Sequence, residues 1–232
     1  MRQEQRDLIR ALPLFCDLGD IHFTELINAA FLQRFPAGVT LINEGEMPDF
    51  LHIVVEGAVE LFARHAEHET ALDIIEPVAT FILAAVARDE VYLKSARTLA
   101  STQILMIPAQ TVRAVFDRDA AFSRAVVAEL ALRYRTLVRA LKNQKLRTST
   151  ERLANWIVQE ELRQGRKHEV TLKIDKRTLA SRLGMTPENL SRNLAQLNKH
   201  GVRTAGPRLV IDDLAALCHF AKPNGLIDDI PA

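Results

Sequence analysis

Residues 174–197, IleAspLysArgThrLeuAlaSerArgLeuGlyMetThrProGluAsnLeuSerArgAsnLeuAlaGlnLeu, constrain this chain more than any other stretch. A short helix carries Leu179, Ala180 and Leu183 on one face and stops at Gly184, a residue that tolerates positive φ where others strain. Thr186 suits the N-cap of a second helix, with Pro187 at its first position and Glu188 in its first turn. Leu190, Leu194 and Leu197 then recur at steps of four and three, which predicts a buried stripe. The opposite face carries Glu188, Asn189, Ser191, Arg192 and Gln196, whose side chains can reach base edges in a major groove. The expectation is a helix-turn-helix that reads DNA. A helical hairpin with a merely solvated polar face is the alternative.

Charge supports the first reading. The chain of 232 residues has a formal net charge of +1, yet residues 131–210 hold 18 Lys/Arg against 6 Asp/Glu, and the remainder 12 against 23. A basic segment coincident with the motif is the electrostatic footprint of phosphate binding, with Lys176, Arg177, Thr178 and Thr186 as candidate backbone contacts. The acidic remainder is expected to avoid DNA. Only Cys16 and Cys218 are present, too few for a disulfide framework or a four-cysteine iron–sulfur cluster. No apolar run nears the roughly 20 residues of a membrane helix, and the start, MRQEQRDLIRAL, does not read as a signal peptide. A reducing cytoplasm is therefore the expected location. No glycine-rich phosphate loop, HExxH, nucleophile elbow or Cys/His pairing occurs, so no enzyme is expected.

Upstream, residues 1–32 read as mainly helical, with Leu8, Ile9 and Leu12 before a break at Pro13 and a second amphipathic stretch over about 21–31. From 33 to 108 the pattern becomes short apolar runs at 39–42, 50–55, 58–62, 71–75, 78–86 and 104–107, punctuated by Pro36, Gly38, Gly45, Pro48, Gly57 and Pro77. Such spacing predicts an antiparallel sandwich or barrel, with the polar insert 64–69 at a hairpin tip. A helical period then persists for nearly forty residues. Val127, Leu130, Tyr134, Leu137 and Leu141 step by three and four along it, a seam that pairing with a second copy would bury. A long helix lying on its own domain is the alternative. Residues 142–150 read as a polar, basic hinge, 151–163 as a helix with Leu153, Trp156, Ile157 and Glu160 in helical spacing, 170–174 as a strand, and 202–211 as a wing around Gly206-Pro207.

Together these elements resemble the catabolite-activator/FNR (CRP/FNR) family of bacterial transcription regulators. In the first domain the resemblance rests on Phe35-Pro-Ala-Gly38, Glu44-Gly45-Glu46, Leu51-His-Ile-Val-Val-Glu-Gly57, Ala96-Arg-Thr-Leu99 and Leu105-Met-Ile-Pro108, and in the second on Pro187-Glu188-Asn189-Leu190-Ser191-Arg192. It implies an α+β chain with a cyclic-nucleotide-binding-like β jelly roll over 1–109, a long dimerisation helix and hinge over 110–147, and a winged helix-turn-helix over 148–232. It also implies a homodimer on double-stranded DNA, contact with RNA polymerase, and base reading of a TTGA-like inverted repeat by Glu188, Ser191 and Arg192, with Asn189 beside them.

The chain departs from the family at the effector site. Cyclic-AMP-binding members carry Phe-Gly-Glu followed by Arg-Ser or Arg-Thr, which present backbone N–H groups to the phosphate, a carboxylate to the ribose and a cation to the charge. Here Phe81 is followed by Ile82 and Leu83, and Lys94-Ser95 replaces the Arg-Ser pair. A phosphate would face hydrocarbon, so cyclic AMP is not expected. Ile82, Leu83, Val86, Tyr92, Lys94 and Ser95 are the candidate lining of a site for an unidentified apolar effector, if the chain takes one. Haem is a further option, with His52, His65 or His68 as ligands, and His65 with His68, flanked by Glu67 and Glu69, could hold a metal. The rival function is a cyclic-nucleotide- or haem-binding sensor whose C-terminal domain docks a partner.

Overall fold

A computed structural model describes residues 2–172 and 174–228. They form two compact units, divided between Arg133 and Tyr134. The chain begins with helices α1 (Gln3–Arg10) and α2 (Asp20–Ala29), and then enters strands β1 (Phe31–Phe35), β2 (Thr40–Ile42), β3 (Phe50–Glu56), β4 (Val59–His65), β5 (His68–Ile75) and β6 (Ala79–Phe81). Helix α3 (Leu83–Arg88) and strands β7 (Ser95–Thr98) and β8 (Thr102–Pro108) complete the β region, before α4 (Ala109–Arg118) and the 27-residue helix α5 (Ala120–Leu146).

Two antiparallel four-stranded sheets, ordered β1-β8-β3-β6 and β2-β7-β4-β5, make the jelly roll. The apolar run in β3 follows from burial on both faces. Leu51, Ile53 and Val55 pack under the helices with Ile9, Phe15, Leu26, Val112 and Phe122. Val54, out of phase with them, joins Ile42, Leu61, Phe81 and Ile104 inside the roll. Strand β8 repeats this division opposite β3, with Leu51 beside Ile107 and Ile53 beside Leu105.

Several expectations need correction. Phe31 opens β1 rather than closing a helix, and β7 was not foreseen. β7 lacks an apolar signature because its polar groups are paired instead of solvated. The Thr98 hydroxyl donates to the Pro36 carbonyl at 2.6 Å, and Arg97 pairs with the buried Glu60 carboxylate at 2.6 Å. The run 78–86 is two elements, β6 and α3, separated by Ile82 in the left-handed region at φ 65°. The forty-residue helix is broken at Asp119, whose extended backbone ends α4 and whose carboxylate accepts from the amides of Ala121 and Phe122 to start α5.

The second unit contains the remainder of α5, then α6 (Ser149–Arg163), β9 (Glu169–Thr171), α7 (Lys176–Arg182), α8 (Pro187–Leu197), β10 (Val202–Ala205), β11 (Arg208–Ile211) and α9 (Leu214–Ala221). The sheet order is β10-β11-β9, and one core joins Leu153, Ile157, Leu179, Leu183, Leu190, Leu194, Leu197, Leu209 and Leu217. The expected hinge at 142–150 is helical except at Arg147 and Thr148. It is short because Thr148 caps α6 reciprocally. Its hydroxyl accepts from the Glu151 amide, and its own amide donates to the Glu151 carboxylate at 2.8 Å. The strand expected over 170–174 occupies 169–171, and its expected extent includes residue 173, outside the described residues.

Candidate nucleic-acid interface

Asp175 opens α7 by accepting from the Thr178 amide at 2.8 Å, and Thr186 opens α8 by accepting from the Asn189 amide at 3.2 Å. Between the helices Gly184 adopts φ +64°, and a Cβ there would lie 2.5 Å from the Gln144 side chain. Arg152 secures the same turn from α6, donating through Nε to the Leu183 carbonyl at 2.9 Å and through Nη2 to that of Gly184 at 3.1 Å. Sequence reasoning missed Arg152. Its position beside Leu153 on the buried side of an amphipathic helix was the available signal.

Burial of Leu190, Leu194 and Leu197 fixes the rotation of α8, so Glu188, Ser191, Arg192 and Gln196 emerge exposed on the opposite side, with Asn189 half-buried. Buried Asn193 adds a polar anchor, since the single Thr150 hydroxyl proton is shared between Asn193 Oδ1 and Gln196 Oε1, both at 3.0 Å. The Arg192 guanidinium donates to Asn189 Oδ1, and the Ser191 hydroxyl donates to the Pro187 carbonyl at 3.1 Å, which leaves serine lone pairs available to accept. The Glu188 carboxyl is held below its ordinary range by its own backbone amide, then by the Thr186 hydroxyl and the Arg192 charge. It remains an acceptor at neutral pH, suited to an exocyclic amino group.

Lys176 and Arg177 are exposed at the start of α7, while the Thr178 hydroxyl donates to Asp175 at 3.0 Å and the Thr186 hydroxyl serves as a cap. In the wing, Arg203 forms a two-point pair with Asp212 at 2.8 and 3.0 Å, and Arg208 lies 3.3 Å from Glu169. Along α5, Val127, Tyr134, Leu137 and Leu141 are exposed, the last three at 68, 68 and 57%. Leu130 departs from this seam, for it packs against the helical core of the first unit.

The sensor residues separate into two groups. Ile82 and Tyr92 belong to the roll interior, whereas Leu83 and Val86 belong to the core under α1, α2 and α4. The Ser95 hydroxyl accepts from the Glu44 amide at 3.0 Å. Burial pushes the Tyr92 phenol up to about 12, reinforced by the Asp49 charge. Burial lowers the Lys94 ammonium, with Asp73 pulling it up and Arg133 adding to the lowering. Residues where the family presents glycine and glutamate to a nucleotide are here buried hydrocarbon, and they do not fit a cyclic phosphate. His52 is buried and stacked on Phe81 at 5.1 Å, and burial lowers its pKa to about 4. His65 and His68 face each other across the β4–β5 hairpin, and no group of three or more candidate metal ligands occurs among the described residues.

A roll-shaped sensor joined by a long helix to a winged helix-turn-helix defines the class of two-domain transcription regulators. Residues 32–119 match the cyclic nucleotide-binding domain model, and residues 151–220 match the Crp-like helix-turn-helix domain model. The chain belongs to the CRP/FNR family. Among solved structures it is similar to a Silicibacter pomeroyi protein described as a cAMP-binding regulatory protein, at 27% identity and TM-score 0.60 over 96% of this chain and 100% of that one. A Eubacterium rectale protein described as a transcriptional regulator of the CRP/FNR family shares the fold at 19% identity and TM-score 0.74, over 91% and 99% of the two chains. FixK2 from Bradyrhizobium japonicum does so at 19% identity and TM-score 0.70, over 88% and 99%. No curated protein sequence matches the chain. Among the described residues, no helix is long and apolar enough to cross a membrane.

Proposed function

We propose that this protein is a dimeric, sequence-specific DNA-binding transcription regulator that reads a TTGA-like inverted repeat through α8, and whose sensor does not take cyclic AMP. The observation that carries the reading is the exposed set Glu188, Ser191 and Arg192, spaced three and four along one helix face on a basic segment. Arginine can donate a two-point pair to guanine, glutamate can accept from cytosine or adenine, and serine can meet a thymine edge. Asn189 supports Arg192, while Lys176, Arg177, Thr178 and Thr186 are the residues this reading assigns to phosphate contacts that set the register. Two copies paired along Val127, Tyr134, Leu137 and Leu141 would present two α8 helices to half-sites about one helical turn apart. The partners of this reading are double-stranded DNA, a second copy, RNA polymerase and an effector of unidentified chemistry, in the cytoplasm.

Selection from a random DNA pool tests the base reading. The expected product is a TGA/TCA dyad, and a pool without one overturns the assignment. Sedimentation tests the pairing: Leu137→Asp places a charge opposite its own copy and should leave a monomer with no affinity for the dyad. A Leu137→Asp protein that remains dimeric places the interface elsewhere. For the sensor, millimolar cyclic AMP or cyclic GMP should give no calorimetric heat, and saturable micromolar binding of either overturns that part.

A further inference from the structure

The seven residues after α9 return to the joint between α5 and α6. Asp228 has a side chain only 2% exposed, and its carboxylate accepts four hydrogen bonds. Arg147 donates Nη1 to Oδ1 and Nη2 to Oδ2, both at 2.6 Å, while Gln159 Nε2 donates to Oδ1 at 3.1 Å and the Asn224 amide to Oδ2 at 2.7 Å. The Arg147 side chain, 7% exposed, also donates to Asn143 Oδ1 on α5 at 3.2 Å and to the Lys222 carbonyl at 3.4 Å. Lys142 adds a bond from Nζ to the Leu226 carbonyl at 3.1 Å. Within the tail, Asn224 Oδ1 accepts from the Leu226 amide at 2.8 Å, which folds the segment into a compact turn.

Arg147 and Thr148 are the two non-helical residues between α5 and α6. A two-residue link between two long helices is where the chain would bend, and bending would carry α8 with it. Here the link is gripped from outside. The Arg147 carbonyl accepts from Arg152 at 2.9 Å, and the same Arg152 holds the Leu183–Gly184 turn, so the joint and the helix-turn-helix share one set of supports. A buried two-point arginine–carboxylate pair has one geometry, and removing either partner strands the other charge.

We propose that the Arg147–Asp228 pair is a latch by which the C-terminal tail locks the joint between α5 and α6, and that these two residues act as positioning residues for α8. This rests on the DNA-reading assignment only for its second half. The locked joint makes the half-site spacing strict. An open latch frees the head to rotate on the long helix, weakening the dyad and relaxing its spacing.

Limited trypsin digestion, read by mass spectrometry at the Arg147–Thr148 bond, tests the latch without DNA. In the intact protein the Arg147 side chain is engaged with Asp228 and cannot enter the protease, so this bond should resist. Cleavage there should be at least tenfold faster in Asp228→Ala, and intermediate in Asp228→Asn, which keeps the shape of the carboxylate but not its charge. The fluorescence of Trp156, on α6, reports whether the head remains folded. If the alanine variant does not fold, the asparagine variant decides. Equal cleavage of folded wild type and variant overturns the proposal. On DNA, the open variant should lose at least tenfold in affinity for the selected dyad and discriminate less against half-sites moved by two base pairs. Faster cleavage with affinity and spacing preference unchanged overturns the positioning role. If the wild type selects no dyad, the DNA reading has failed, and the digestion still decides the latch.

Discussion

Gly184 and Ile82 share almost the same φ and have opposite side chains. Gly184 sits at φ +64° in the turn of the helix-turn-helix, and Ile82 at φ 65° at the start of α3. Left-handed backbone is open to glycine and disfavoured for a β-branched residue, so the two positions face the same local demand and answer it differently. At Gly184 the bare backbone lets the Gln144 side chain lie close to the turn and leaves two carbonyls for Arg152. At Ile82 the same kind of turn carries a branched side chain, packed into the roll with Phe81 and Tyr92. A left-handed turn can thus be met by bare backbone or by a branched side chain, provided that packing of the side chain offsets the strain. The path alone does not report function; the groups it presents do.

Lowering the pH should separate the two units most strongly. His52 is buried in the roll and its pKa falls from 6.5 to about 4, so the folded sensor holds it neutral while the unfolded chain takes up a proton. Its share of stability is therefore complete above pH 6.5 and lost as the pH falls from 6.5 to 4, by about 3 kcal/mol. The cap carboxylates of the helix-turn-helix unit, Asp175 and Glu151, are held below their ordinary range by the amides of Thr178 and Thr148. Their contribution is present above that range and fades only as the pH drops through it. Hydrogen exchange between pH 7 and 5 should show protection falling in β3 and β8 and holding in α8. Equal losses in both units would remove His52 from the account.

Replacing Ile82 by glycine tests whether packing or the turn matters more at that position. Removing a buried isoleucine costs about 2–5 kcal/mol, and relief of the left-handed strain returns about 1–2. The net expectation is a loss of about 2 kcal/mol in thermal or urea unfolding, and an unchanged or stabilised variant would mean that the hydrocarbon does not hold the roll. A similar magnitude, about 1–3 kcal/mol, is expected for Arg192→Ala, read as binding to the selected dyad, with the loss concentrated at guanine. The same base preference from the variant would remove arginine from the readout. Gly184→Ala should have the smallest effect, about 1 kcal/mol of stability, because the flexible end of Gln144 can move aside and only the left-handed strain remains. A loss several times larger would show that Gln144 cannot yield.

The helices of the helix-turn-helix were legible because their determinants are local. Caps, a stop glycine and leucines at helical spacing all lie within 24 residues. The β roll was legible as a class, since residues 50–55 and 104–107 are apolar enough to be buried on both faces. β7 was not, because half-buried Arg97 and buried Thr98 are paired with Glu60 and Pro36, partners tens of residues away. The break at Asp119 was missed because the helical period resumes immediately after it, and a carboxylate that caps a helix does not differ in sequence from one that decorates it. In the candidate interface, the exposed set followed from periodicity, Arg152 left only its place beside Leu153 as a signal, and Thr150 and Asn193 needed the tertiary fold. Leu130 fits the apolar spacing of α5 yet turns to its own core, a distinction that spacing alone cannot make.

The first turns of the chain depend on residues made much later. Ile9, Phe15 and Leu18 pack in one core with Phe122 and Val126 at the start of α5, and Phe15 stacks on Phe122 at 6.1 Å. During synthesis at roughly 5–20 residues per second, α1 and α2 would wait several seconds for those partners to emerge. A nascent chain stopped near residue 109, where the sheets are already written, would leave that aromatic face uncovered. The first unit therefore finishes folding only when the ribosome is well into the helix that leads to the winged helix-turn-helix, so the timing of one unit is set by the opening residues of the element that leads to the other.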